Sequence, residues 1–285
     1  MLDAAIPVFK SSKQIGIIGP PGCGKTVVAG LLYDSIVNKF LPNHQNYRLQ
    51  VQNGLDFLQK TMLILKKGEF PVKTPADEIN KVEMVLRQDV ATGGSIEIKL
   101  HDVVGDVYKD LYIQEVDTKE RMYRTFDRGR VKKPFGDMSF LPFCKLYVIL
   151  VDCEDYQNWP QISYENVKLV TAIRQWKEGI NEAVNGKIKT PIAVMFTKTD
   201  LLTENDSKKG GEDMIKKYMR EFYEQLKSTT DTRLNFFKTY LEVERDSANN
   251  PVKTEGGNFK VKTPLKYSDD EYVNFISWVD QNIKV

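Results

Sequence analysis

Short apolar runs rich in β-branched side chains recur along the chain, separated by longer stretches whose apolar residues return every three or four positions. The runs are Gln14–Ile18, Val82–Leu86, Ser95–Leu100, Lys145–Val151, Ile192–Phe196 and Phe236–Val243, and each has the length and composition of a strand. The helical stretches are Lys25–Phe40, Gly54–Lys67, Tyr164–Asn181, Glu212–Ser228 and Asp270–Asn282. Strands alternating with helices predict an α/β fold of three layers, a mostly parallel six-stranded sheet with helices on both faces. The second and third runs are joined only by a short connection with Ala91-Thr92-Gly93-Gly94, which suits a hairpin and predicts one antiparallel pair at the sheet edge. Leu55, Leu58, Met62 and Leu65 extend the connection before the second run, so a helical insert is expected near residues 43–70. No linker divides the chain. One domain over residues 1–285 is expected, with a flexible loop or hairpin near 246–268, where Gly256-Gly257 stands among scattered lysines.

Composition narrows the setting more than the chemistry. Hydrophobic residues make up 41% and charged residues 28% of the 285, with a formal net charge of +2, so bulk charge makes no case for nucleic acid or a membrane surface. Cys23, Cys144 and Cys153 are odd in number and form no Cys-x-x-Cys pair, which argues for reduced thiols and a cytoplasmic setting. The longest apolar run, Leu146–Val151, is too short to span a bilayer. Direct membrane insertion is therefore not expected.

Three motifs carry the chemistry. Gly19-Pro20-Pro21-Gly22-Cys23-Gly24-Lys25-Thr26 follows the first strand and opens the first helix, with Val27 next. This strand–loop–helix order makes a phosphate cradle: main-chain amides turn inward, the helix dipole adds positive potential, Lys25 reaches the outer phosphates and Thr26 ligates Mg²⁺. At the end of the third run stands Asp102-Val103-Val104-Gly105. Asp102 can hold the Mg²⁺ water shell, and the amide of Gly105 can meet a terminal phosphate. The fifth run delivers Thr197-Lys198-Thr199-Asp200-Leu201 to the same sheet end, where open α/β folds bind ligands. A carboxylate there accepts both hydrogens on guanine N1 and N2, a pattern adenine lacks, and the Lys198 stem can lie over the base. Taken singly, the second and third motifs are ordinary polar turns after strands; their order and context make them a set.

Together they resemble the GTPase domain of the Ras-like, translation-factor-related P-loop class. The resemblance implies GTP or GDP as ligand, Asp200 as the guanine selector, and a Mg²⁺-ligating threonine in the loop before the second run. Thr74 within Gly68-Glu69-Phe70-Pro71-Val72-Lys73-Thr74-Pro75 fits that place; Thr61 falls inside a predicted helix. The insert followed by Gly-x-Phe-Pro-x-x-Thr-Pro resembles the double-GTPase families of prokaryotes and their viruses. Where the class places Ser-Ala main chain against the guanine oxygen, Ser247-Ala248 is the match here.

The chain also departs from the class. Asp106 stands where many members use Gln to orient the attacking water, and Pro21 removes a main-chain donor from the loop. Slow intrinsic hydrolysis is expected, with help from a partner, from His101 or from an arginine of Arg121–Arg130; for His101 a packed strand residue is the plainer reading, and His44 faces solvent in a polar loop. Protein partners are expected through the loop around Thr74 and through Gly105–Gly136, which carries Arg121, Arg124, Arg128, Arg130, Lys132 and Lys133, although most such charge runs are solvated faces. Two other readings stay open, a GTP-loaded interaction subunit with little hydrolysis and a P-loop ATPase or small-molecule kinase. Oligomeric state is not encoded in these motifs.

Overall fold

A computed structural model describes residues 13–20, 22–72, 80–89, 95–102, 140–154, 159–230 and 233–283. The strands of the main sheet are β1 Lys13–Ile18, β2 Tyr47–Asn53, β3 Asn80–Gln88, β4 Ser95–Asp102, β5 Leu146–Asp152, β6 Ile192–Thr197 and β7 Leu234–Lys238. They form one sheet in the order β2-β3-β4-β1-β5-β6-β7. β3 alone runs against the rest, pairing antiparallel with β2 on one side and β4 on the other. The remaining pairs, β4–β1, β1–β5, β5–β6 and β6–β7, are parallel.

The sheet therefore has seven strands rather than six, and the expected edge hairpin lies one strand in from the edge. The added strand is the first part of the insert expected to be helical. Tyr47, Leu49 and Val51 alternate with the exposed Arg48, Gln50 and Gln52, and the apolar set packs on the core, a period-two signal that suits a half-buried edge. Helix α1 Lys25–Ser35 continues through a π turn, Ile36–Phe40, into a last short turn, Leu41–Asn43. α2 Leu55–Lys66, α3 Trp159–Gly179 and α6 Asp269–Asn282 fall where helical spacing places them. The expected helix Glu212–Ser228 is broken at Met219, whose extended φ of −135° separates α4 Gly211–Tyr218 from α5 Arg220–Thr229.

Two cores flank the sheet. On one face α1, α2 and α6 close over Ile15, Ile17, Val148 and Met195; on the other α3, α4 and α5 cover Tyr147, Ile149, Val194 and Phe196. Alternate residues of β5 and β6 serve opposite faces, so both strands read as continuous apolar runs with almost no exposure. Among the described residues no helix is long and apolar enough to cross a membrane.

The last expected strand, Phe236–Val243, is divided. β7 ends at Lys238, and the chain then leaves the sheet and folds into a ribbon with itself. Bridges pair Leu241 with Tyr267, Val243 with Val261, Arg245 with Pro251 and Lys253 with Phe259. The Glu244 amide donates to Lys260, and the Val252 amide to Glu244. Ion pairs Glu242–Lys262 and Glu244–Lys260, both 2.8 Å, run along its surface. The ribbon is joined to α2 through the Val261 amide, which donates to the Gly68 carbonyl at 2.9 Å.

Candidate functional site

The parallel strands β4, β1, β5 and β6 bring their C-terminal ends to one side of the sheet, and all three motifs leave from there. Asp102 is the last residue of β4, while the Gly19–Lys25 loop follows β1, the strand beside it. Gly22 and Gly24 have φ of 77° and 87°, the left-handed region that glycine enters without the Cβ clash of other residues. Among the described residues, a Cβ at either would meet nothing within 4 Å. Gly24 caps α1, its carbonyl accepting from the Val28 amide at 2.8 Å.

Cys23 lies beneath the loop rather than in it. Its thiol is fully buried, and a Cβ on Gly19 would fall 2.6 Å from its sulfur. Burial pushes the thiol pKa up, with Lys25 pulling it back. Cys23 therefore serves the site with its main chain alone. The Lys25 ammonium is nearly buried and donates to the carbonyls of Gly19 at 3.2 Å and Pro20 at 3.0 Å. These are neutral acceptors that an anionic oxygen can replace with a stronger, charge-assisted bond. Thr26 and Val27 sit half-buried in the first helical turn.

The base loop is fixed by bonds that reach across the chain. The Thr197 hydroxyl, buried at the end of β6, donates to the Cys23 carbonyl at 2.9 Å, with Val151 O a weaker alternative at 3.4 Å. One side chain thus holds the two loops together. Lys198 takes a left-handed φ of 58°, and Thr199–Leu201 form a 3₁₀ turn. The Lys198 ammonium pairs with Asp152 at 2.7 Å and Glu154 at 2.5 Å. Burial opposes its charge, but the two carboxylates outweigh burial and hold its pKa above the ordinary lysine value. Burial likewise raises the Asp152 pKa, against the pull of Lys198. The Thr199 hydroxyl and amide both donate to the Thr239 carbonyl, and the Thr239 hydroxyl and amide both donate to Phe196 O.

Asp200 is the most perturbed group of the loop. Burial raises its carboxyl to about 6; its own amide, Arg245 and the Leu241 amide draw it down, and Glu242 pushes it up. Leu241 lies in the stretch that directly follows β7. Ser247 and Ala248 lie farther on, in a turn where the Ala248 and Asn250 amides both donate to the Asp246 carboxylate, at 2.9 and 2.8 Å. That turn is linked to the base loop through Arg245, which donates to the carbonyls of Asp200 at 2.8 Å and Asn249 at 2.9 Å.

Lys25, Thr26, Thr197, Lys198 and Asp200 thus come to one end of the sheet. Pro21, Thr74, Gly105, Asp106 and the basic run Arg121–Gly136 lie outside the described residues. Asp152, Glu154, Thr239 and Arg245 belong to the site without any motif of their own; the one hint is that Asp152 is the acidic residue ending a buried strand, the place Asp102 holds on β4. Among the described residues, no three His, Cys, Asp or Glu side chains gather as a metal cluster. The oxygen donors that the motifs offer, threonine hydroxyls and one carboxylate, are of the hard kind that Mg²⁺ takes beside phosphate and water.

A sequence profile of the Double-GTPase 2 family matches residues 13–252, a span that includes every motif above. No curated protein matches the sequence. Among solved structures, the Arl6 (BBS3) small GTPase of Trypanosoma brucei with bound GppNp is 13% identical, covering 80% of this chain and 87% of its own, with a TM-score of 0.36. The SRβ-GTP/SRX signal recognition particle receptor complex of Chaetomium thermophilum is 11% identical over 81% of this chain and 92% of its own, with a TM-score of 0.40. Likenesses this distant carry no residue-level argument.

Proposed function

The chain belongs to the Double-GTPase 2 family, and from that premise we propose that it is a Mg²⁺-dependent GTP/GDP switch with slow intrinsic hydrolysis. The supporting observation is the Thr197–Cys23 bond, which sets the base loop beside the phosphate loop. In this reading the ionised Asp200 accepts from guanine N1 and N2, and the Lys198 stem flanks the base. Lys25 exchanges the Gly19 and Pro20 carbonyls for outer phosphate oxygens. Thr26, Thr74 and Asp102 would hold Mg²⁺, which when bound neutralises charge on the transferring phosphoryl group. Thr74 and Gly105 would meet the terminal phosphate, so its loss releases their loops. Those two loops, with the basic stretch after them, are where protein partners would dock.

Asp106 is a weak substitute for a water-orienting Gln, because its short carboxylate would face the negative terminal phosphate. Pro21 withholds one amide from the same phosphate. Both residues also favour the second reading, a GTP-loaded interaction subunit that hydrolyses little. The first test is the nucleotide that co-purifies with the protein, followed by competition of GTP and ATP against a fluorescent GDP with and without EDTA. Guanine nucleotide alone should be retained, and magnesium should tighten it; equal competition by ATP would overturn the reading. Single-turnover hydrolysis then separates the switch from the loaded subunit.

A further inference from the structure

We propose that Arg245, on the C-terminal ribbon, is a positioning residue for guanine recognition, gripping the main chain of Asp200 so that its carboxylate faces the base. The inference deepens the proposed function and rests on its guanine assignment.

The guanidinium is an exposed head that binds two carbonyls from different parts of the chain, Asp200 O at 2.8 Å and Asn249 O at 2.9 Å. A planar fork bonded at two points fixes the spacing between the segments it joins, which a lysine ammonium on a flexible stem does less well. The base turn needs such support at Asp200. Its inner residue, Thr199, is bonded to Thr239 by both hydroxyl and amide, and the Leu201 amide closes back on Lys198 O. Asp200 is less buried than Thr199, and Arg245 holds its carbonyl from the ribbon.

Arg245 also acts on charge. Among the described residues, the groups that act on the Asp200 carboxyl are Arg245 and Glu242 of the ribbon, Tyr240 after β7, Cys153 after β5, and the amides of Asp200 and Leu241. Burial and Glu242 favour the protonated acid; Arg245 opposes them. A protonated Asp200 offers a hydrogen where guanine offers two. Loss of Arg245 should therefore weaken guanine binding twice, through position and through ionisation.

The experiment uses the full chain, fluorescent GDP and ADP, and pH from 5 to 8. The expected result for Arg245→Met is a roughly tenfold loss of GDP affinity at neutral pH with ADP affinity unchanged, the scale of one charged hydrogen bond. The pH at which GDP affinity is half lost should also move upward. Arg245→Lys should keep that midpoint near wild type while recovering only part of the affinity. Equal losses for GDP and ADP, or a wild-type GDP/ADP ratio and midpoint in Arg245→Met, overturn the inference. If the wild-type protein binds ADP as tightly as GDP, the guanine assignment fails first, and this inference with it.

Discussion

The two rims of the proposed nucleotide site are built in opposite ways. The phosphate rim is nine consecutive residues, Gly19 to Val27, whose shape comes from glycine backbone and the start of one helix. The base rim is assembled from residues 152–154, 197–201 and 239–245, joined by side chains that bond to distant main chain. A local rim keeps its geometry wherever the strand–loop–helix unit folds. A distributed rim exists only once β5, β6, β7 and the ribbon are all in place, so base selectivity is expected to fail before phosphate binding when the fold is disturbed.

Replacing Lys25 by Met tests the local rim and should have the largest effect. Loss of its charged bonds to phosphate should weaken GDP about 100-fold by calorimetry, near the upper end for a charged hydrogen bond. A loss under tenfold would place most of the affinity on the base rim. Thr197→Val cuts the bond between the rims while keeping shape. The Cys23 carbonyl then lies buried without its donor, costing about 1–2 kcal/mol in chemical denaturation, and discrimination between GDP and ADP should drop while their shared phosphate affinity holds. Unchanged discrimination would mean the two loops need no common fastening.

The smallest effect is a pH signature of Asp200. Its folded pKa of about 6 lies above the ordinary aspartate value of 3.8, so between those values the folded protein holds more protons than the unfolded chain, and this group's contribution to stability falls as pH rises. If guanine binds the ionised acid as proposed, GDP affinity should rise across the same window and level off above it. Urea titrations of wild type and Asp200→Asn from pH 4 to 7 should show the wild type losing stability relative to the variant. A flat difference would place the carboxyl in solvent.

The same contrast explains what the sequence made legible. The local rim is a contiguous motif, and it lies between β1 and α1, the strand–loop–helix order that the spacing predicts. The buried strands β5 and β6 were equally plain, because strands covered on both faces are unbroken apolar runs. β2 carried a readable alternation in Tyr47, Leu49 and Val51, but the helical spacing of Leu55 to Leu65 beside it drew the whole insert into one reading. Met219 breaks a helix with no proline or glycine to announce it, and the helix beyond the break, α5, packs against α3. Leu241 and Val243 have strand character, yet their partners are Tyr267 and Val261 rather than β6, and residue type alone does not choose between them. Arg245 and the Asp152–Lys198 pair are contacts 45 and 46 residues apart, and spacing carries no signal at that range.

The stitch between Val261 and Gly68 has a mechanical corollary. It ties the end of α2 to the C-terminal ribbon, so a change that loosens the ribbon is expected to loosen the end of that helix with it.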